Sequence, residues 1–141
     1  VASQNPYQAL SRFRRLREDQ ARKALAERLM TLKHMKSERA AIAASLVASR
    51  HPSNDVSMLV LDDLSRARTR TALDEHDARI SELQADIERV EESLRVAARD
   101  RQVADRLANR SDEKRRVDVQ RQERRDEDEV AIRSFEGEPE D

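Results

Sequence analysis

Carboxylates are the most abundant groups able to do chemistry in this chain of 141 residues, and several stand side by side: Asp62-Asp63, Asp74-Glu75 and Asp126-Glu127-Asp128-Glu129. Acid/base catalysis needs one member of such a pair with a raised pKa, which burial supplies and a solvated helix does not. These residues therefore read as a solvated face. The three histidines, His34, His51 and His76, share no ligand spacing, and no His-Glu-x-x-His occurs. They read as a helix-surface residue, a turn residue and a polar seam position. With no cysteine there is no thiolate site and no disulfide framework. The single glycine, Gly137, lies in the tail, so a glycine-rich phosphate loop is excluded. The expectation is a protein that is not an enzyme, with no catalytic residue, metal, cofactor or small-molecule substrate.

The elements that carry these residues follow from what the sequence lacks. Charged residues make up 40% of the chain and aromatics 2%, and the prolines sit only at Pro6, Pro52 and Pro139. The remainder is rich in Ala, Leu, Arg, Glu and Gln, the best helix formers. One interior break stands out, Ser49-Arg50-His51-Pro52-Ser53-Asn54-Asp55, where proline stops one helix and Ser53, Asn54 or Asp55 can cap the next. From Leu73 to Ala108 apolar and tolerated positions step by alternating three and four residues: Leu73, His76, Ile80, Leu83, Ile87, Val90, Leu94, Ala97, Arg101, Ala104 and Ala108. That is the seam of a coiled coil. The first helix offers Leu10, Phe13, Leu16, Ala21, Leu25, Leu29, Leu32, Met35, Ile42 and Leu46, with a stammer expected where Leu29, Leu32 and Met35 step by threes.

The fold class expected is all-α, a two-helix antiparallel coiled-coil hairpin with a longer second helix. Its parts are a first helix over 1–49, a turn over 50–55, a second helix over 56–135 and an acidic tail over 136–141. Reversal near residue 52 predicts that facing residue numbers add to about 104, which pairs Leu46 with Leu59, Leu32 with Leu73, Leu25 with Ile80 and Leu10 with Leu94. Charge supports the pairing of the arms. Residues 1–50 hold eleven Lys or Arg against four Asp or Glu, and residues 51–108 hold nine against thirteen. Opposite net charge favours the hairpin over like-with-like association. In this register nothing faces the second helix beyond about Arg101. Residues 109–135 then form a charged extension, with fifteen of the twenty-one residues from 109 to 129 charged.

No run approaches the ~18 apolar residues of a membrane span, and the chain reads as soluble and cytoplasmic. A basic first arm admits phosphate contacts, but the aromatic platforms that grip single-stranded nucleic acid are missing. The first arm is more economically a mate for the second.

Phe13, Leu16, Arg17, Glu18, Ala21, Ala24 and Leu25, in a basic opening helix, resemble the start of FliJ-type proteins of the bacterial flagellar export apparatus. The closing Asp128, Glu129, Ala131, Arg133 and Phe135 resemble their charged Asp-Glu-x-Ala ending. Length, uneven arms and mid-chain turn are similar too, and the YscO-type stalks of injectisomes are the near relatives. The resemblance implies a cytoplasmic component of a type III export apparatus at the inner membrane, reaching the membrane only through partners. Those partners would be the export ATPase ring, the export gate and escort chaperones. It places the open end, with Leu10, Phe13, Leu16, Arg17, Asp128, Glu129, Arg133 and Phe135, towards the ring, and the turn end, with Leu46, Leu59, Val60 and Leu64, towards the gate. The departure from the pattern is the lack of any aromatic between Phe13 and Phe135, where relatives often carry some near the turn. The alternatives from the residues alone are a generic coiled-coil adaptor or scaffold, or a nucleic-acid-binding coiled coil.

Overall fold

The computed structural model describes residues 5–49 and 54–137, which form a helical hairpin of α1 (Pro6–Ala48) and the longer α2 (Val56–Glu136). Each helix begins on a side-chain cap. The Asn5 side-chain oxygen accepts from the Tyr7 backbone N–H at 3.0 Å, and Pro6 occupies the first helical position, where its missing N–H would have had no helical partner. Asn5 followed by Pro6 is a helix-start signal that the apolar pattern does not reveal. Of the three candidate caps for α2 the structure uses Asp55, whose carboxylate accepts from the Ser57 N–H at 3.0 Å. At the end of α1 the Ser45 and Ser49 hydroxyls donate to the carbonyls of Ile42 and Leu46. Within the expected turn Asn54 and Asp55 are non-helical, while residues 50–53 lie outside the described residues. Glu136, expected to open the tail, is instead the last residue of α2, and the tail beyond Gly137 lies outside the described residues.

Burial follows a single heptad phase along each helix. On α2 every expected seam position from Leu73 to Ala108 is half-buried or buried. On α1 the covered positions include Ser11, Arg14, Glu18, Ala21, Leu25, Arg28, Leu32, Met35, Arg39, Ile42 and Leu46. This corrects the expected seam in two places. Phe13 and Leu16 are 49% and 59% exposed, and Ser11, Arg14 and Glu18 take the inward positions. The stammer is absent as well: Leu29 is exposed and Arg28 takes its place. A helix must keep one phase to keep facing its partner, so polar residues in phase face inward while apolar ones a residue or two out of phase, about 100° or more around the helix, turn away.

The residues divide into a central unit, Glu18–Val96, and a terminal unit, Val1–Arg17 with Ala97–Asp141. In the central unit Ile80 and Ile87 are buried, with Leu83, Val90, Leu25, Leu32 and Met35 half-buried. Two cross-helix ion pairs mark the register here: Arg28 to Asp86 at 2.5 Å, and Arg39, through both nitrogens of its fork, to both oxygens of Asp77. In the terminal unit the buried residues are small or polar: Ala104, Ala108, Asn5 and Ser11.

The register differs from the apolar matching. Bonded partners add to 114 for Arg28 and Asp86 and 116 for Arg39 and Asp77 in the central unit. In the terminal unit they add to 113 and 117 for Asn5 with Ala108 and Asp112, 114 for Arg14 with Asp100 and 116 for Ser11 with Asp105, and the longer reaches of Gln8 and Arg15 add to 120. Against the expected sum near 104, each α1 residue therefore faces a partner about eleven residues, or about 16 Å, further along α2. Ten or eleven residues make about three helical turns, so a slide of that size carries each α2 seam position onto another one. The seam could be right and the register wrong together. The slide bares the start of α2 at the turn end and brings α1 opposite α2 as far as Asp112, well past Arg101.

Candidate partner-binding surfaces

Cross-helix hydrogen bonds gather at the amino-terminal end of α1. The Asn5 amide donates to the Ala108 carbonyl at 3.0 Å and to the Asp112 carboxylate at 2.9 Å, and Gln8 donates to the same carboxylate at 3.2 Å. Asp105 accepts from the Ser11 hydroxyl and from Arg15 at 3.4 Å, and Arg101 reaches it at 3.0 Å from one turn back. Arg14 and Asp100 pair at 2.9 Å. These donors hold both carboxylates below the usual carboxylate range, Asp105 chiefly through Ser11 and Asp112 chiefly through Asn5 and then Gln8. In the central unit the Arg39 fork lowers Asp77 and is itself raised, and the Arg28 hydrogen bond lowers Asp86. Each of these cross-helix ion pairs sets an α1 arginine against an α2 aspartate, as the opposite arm charges predict. A cleft of about 350 Å³ lies among Gln8, Ser11, Arg12, Arg15, Asp105 and Asp112. Several of its charges answer one another, so it favours neither an anion nor a cation.

The open-end residues named from the sequence fall into two groups that the fold does not bring together. Leu10 is half-buried, whereas Phe13, Leu16 and Arg17 are exposed, with the Arg17 guanidinium 5.3 Å from the centre of the Phe13 ring. Asp128, Glu129, Arg133 and Phe135 are all exposed, Phe135 at 84%. They lie sixteen or more residues past Asp112, the furthest α2 residue bonded to α1, which is about 24 Å along the helix. Each described side chain of α2 from Val119 onward, Glu136 aside, is exposed. The charged extension expected over 109–135 thus stands without α1 beside it over most of its length, but α2 loses its partner near Glu113 rather than near Arg101.

At the other end Leu46 is half-buried, while Leu59, Val60 and Leu64 are half exposed or nearly so. The expected contact of Leu46 with Leu59 is not made in this register. Val56 (73% exposed), Met58 and Leu61 join them, residues that the apolar matching had hidden. The signal that finds them is a helix start apolar on every face, Val56-Ser57-Met58-Leu59-Val60-Leu61, which no single partner helix could cover.

Of the groups first considered for chemistry, His34 pairs with Glu38 on the surface at 3.0 Å, His76 lies half-buried in the seam, and His51 lies outside the described residues. Asp62 is bound to Arg66 at 3.3 Å, and Asp63, Asp74, Glu75 and Asp126 to Glu129 are exposed. Among the described residues no three His, Asp or Glu side chains cluster as metal ligands, and no helix is long and apolar enough to cross a membrane.

Fold and surfaces together define a two-helix hairpin with heptad-spaced burial and uncovered helix at both ends of α2. No family model, curated protein or solved structure matches the sequence.

Proposed function

We propose that this chain is a non-enzymatic coiled-coil stalk of a bacterial type III protein export apparatus, of the flagellar kind. In this reading it binds the export ATPase ring through its open end and the export gate and escort chaperones elsewhere. The observation that carries the reading is the uneven hairpin: α2 outruns α1 by a charged helix ending in the exposed Asp128, Glu129, Arg133 and Phe135. These are residues on which the likeness to FliJ-type proteins rests. Exposed Phe13, Leu16 and Arg17 supply a second contact surface, made available because polar residues fill the seam in their place. Protein partners fit both surfaces: an aromatic or apolar anchor beside arginine and carboxylates suits a mixed polar interface. Cytoplasmic placement at the inner membrane belongs to the same reading. The test is co-purification with the hexameric export ATPase, together with motility and secretion of a deletion strain. Capture of the ATPase, lost on Phe135→Ala and Phe13→Ala, is the expected result; normal motility and secretion of the deletion strain would sink the reading.

A second reading, a coiled-coil adaptor that associates with itself, is favoured by one observation, the bare apolar start of α2.

A further inference from the structure

We infer that the first three turns of α2 form a self-complementary surface on which a second copy of this chain docks, antiparallel and two-fold symmetric about Val60. This rests on the second reading, self-association, and names its surface and symmetry; it does not depend on the stalk reading.

The surface exists because of the register. In the central unit α1 ends at Ala48, which at a sum near 115 stands opposite residue 67 of α2. Burial agrees independently: every residue from Asn54 to Leu61 is exposed, and the first half-buried position of α2 is Asp62. Val56, Met58, Leu59, Val60, Leu61 and Leu64 are therefore six large apolar side chains on a helix segment with no helix beside it among the described residues. Soluble monomers rarely leave such a contiguous patch bare.

The pattern of the patch selects its occupant. Val56, Val60 and Leu64 are spaced i, i+4, i+8 and form one ridge on the side away from the seam. Laid antiparallel on its own copy, this ridge places Val60 on Val60 and Val56 on Leu64, so the same patch serves both partners, as an isologous interface requires. Charge fits the same arrangement. The pairing brings Asp63 of each copy beside Ser57 of the other, near the amino end that Asp55 caps, while Asp62 stays on the seam side with Arg66. A carboxylate there complements the positive amino end of the helix. The same aspartates argue against a bilayer, because helices that lie on membranes carry Lys or Arg along the polar face. Three ridge side chains per copy fall well short of the ~800 Å² per partner of a standard stable complex, so the pair is a weak one that forms with rising concentration.

The absence of cysteine makes the geometry directly testable. Sedimentation of the full chain across micromolar to millimolar concentrations should show a monomer–dimer equilibrium. Val60→Asp should weaken it by about 100-fold or more, through burial of an unpaired charge at the symmetry axis. Circular dichroism is expected to stay unchanged, since Val60 is exposed in the single hairpin. Val60→Cys should oxidise rapidly to a disulfide-linked dimer. Val56→Cys and Leu64→Cys should each crosslink poorly alone and efficiently when mixed. A monomer at every concentration overturns the inference, as does a dimer indifferent to Val60→Asp. Equal crosslinking of all three single variants would show a parallel pair and overturn it too. Binding to lipid vesicles by a chain that stays monomeric would make the membrane the occupant instead.

Discussion

The central and terminal units pair their helices by different means. The central unit buries Ile80 and Ile87 with Leu25, Leu32 and Met35 nearby, its buried charge is Glu18 at its very edge, and its arginine–aspartate pairs are part-buried or exposed. The terminal unit buries alanines, an asparagine and a serine, and spends its contacts on hydrogen bonds to Asp105 and Asp112. Apolar burial is non-directional and tolerates a slide of whole turns, so it supplies stability with little register. A hydrogen bond is directional, and a buried amide that loses its partner costs free energy. The terminal unit is therefore where a slide is punished, and Asn5 is the residue best placed to punish it. Register in turn decides which parts of α2 are bare, and so which surfaces partners can reach.

The largest expected effect separates the units by stability. Ile87→Asp places a charge in the central seam and should cost about 3–5 kcal/mol, enough to abolish cooperative thermal unfolding, whereas Glu88→Ala on the outer face should stay within about 0.5. Equal melting curves would show that the central unit is not held by its apolar seam. Next comes crowding of the terminal unit. Ala104 is 2% exposed, and Ala104→Leu should cost about 1–3 kcal/mol and speed amide exchange over residues 6–17 while leaving 70–95 protected.

Asn5→Ala removes a helix cap and two cross-helix donations, with an expected loss of about 1–2 kcal/mol at the same site. Acid should act in both units. Asp77, Asp86, Asp105 and Asp112 have lowered pKa values in the folded chain. Their contribution is present in full above the unfolded carboxylate value of about 4, and it is lost as pH falls through the lower folded values. Salt sharpens the contrast, because it weakens the exposed Arg39–Asp77 pair more than the Asn5 donation to Asp112. The smallest effect is a truncation after Glu113, which should change hairpin stability by less than about 0.5 kcal/mol and, under the proposed stalk reading, remove capture of the ATPase ring.

Much of this was legible in the sequence. Pro52 and the lack of interior glycine give two helices, the three-four stepping from Leu73 to Ala108 gives the α2 seam, and Asp55 was among the candidate caps. The register was not legible, because the heptad repeats along the chain and apolar matches at a sum near 104 look as good as those three turns away. Nor was the opening phase of α1, since Phe13 and Leu16 carry a stronger apolar signal than Ser11, Arg14 and Glu18, which face inward. What decides between them is a set of polar partners, Asn5 with Asp112 and Arg28 with Asp86, and no periodicity of apolar residues contains them. The same error hid half of the turn-end surface: matching Leu46 to Leu59 covered a helix start that the structure leaves bare.

The central claim, that polar contacts set the helices about eleven residues away from the apolar matching, is open to a distance measurement. Lys33, Thr71 and Glu82 are all exposed in the central unit, and spin labels there can be read in pairs by pulsed electron resonance. Residues 33 and 82, whose numbers add to 115, should lie side by side across helices packed about 8–10 Å apart. Residues 33 and 71, which add to 104, should be offset along the axis by about 16 Å. A short distance between 33 and 71 with a long one between 33 and 82 would contradict that claim, and would return the start of α2 to the shelter of α1.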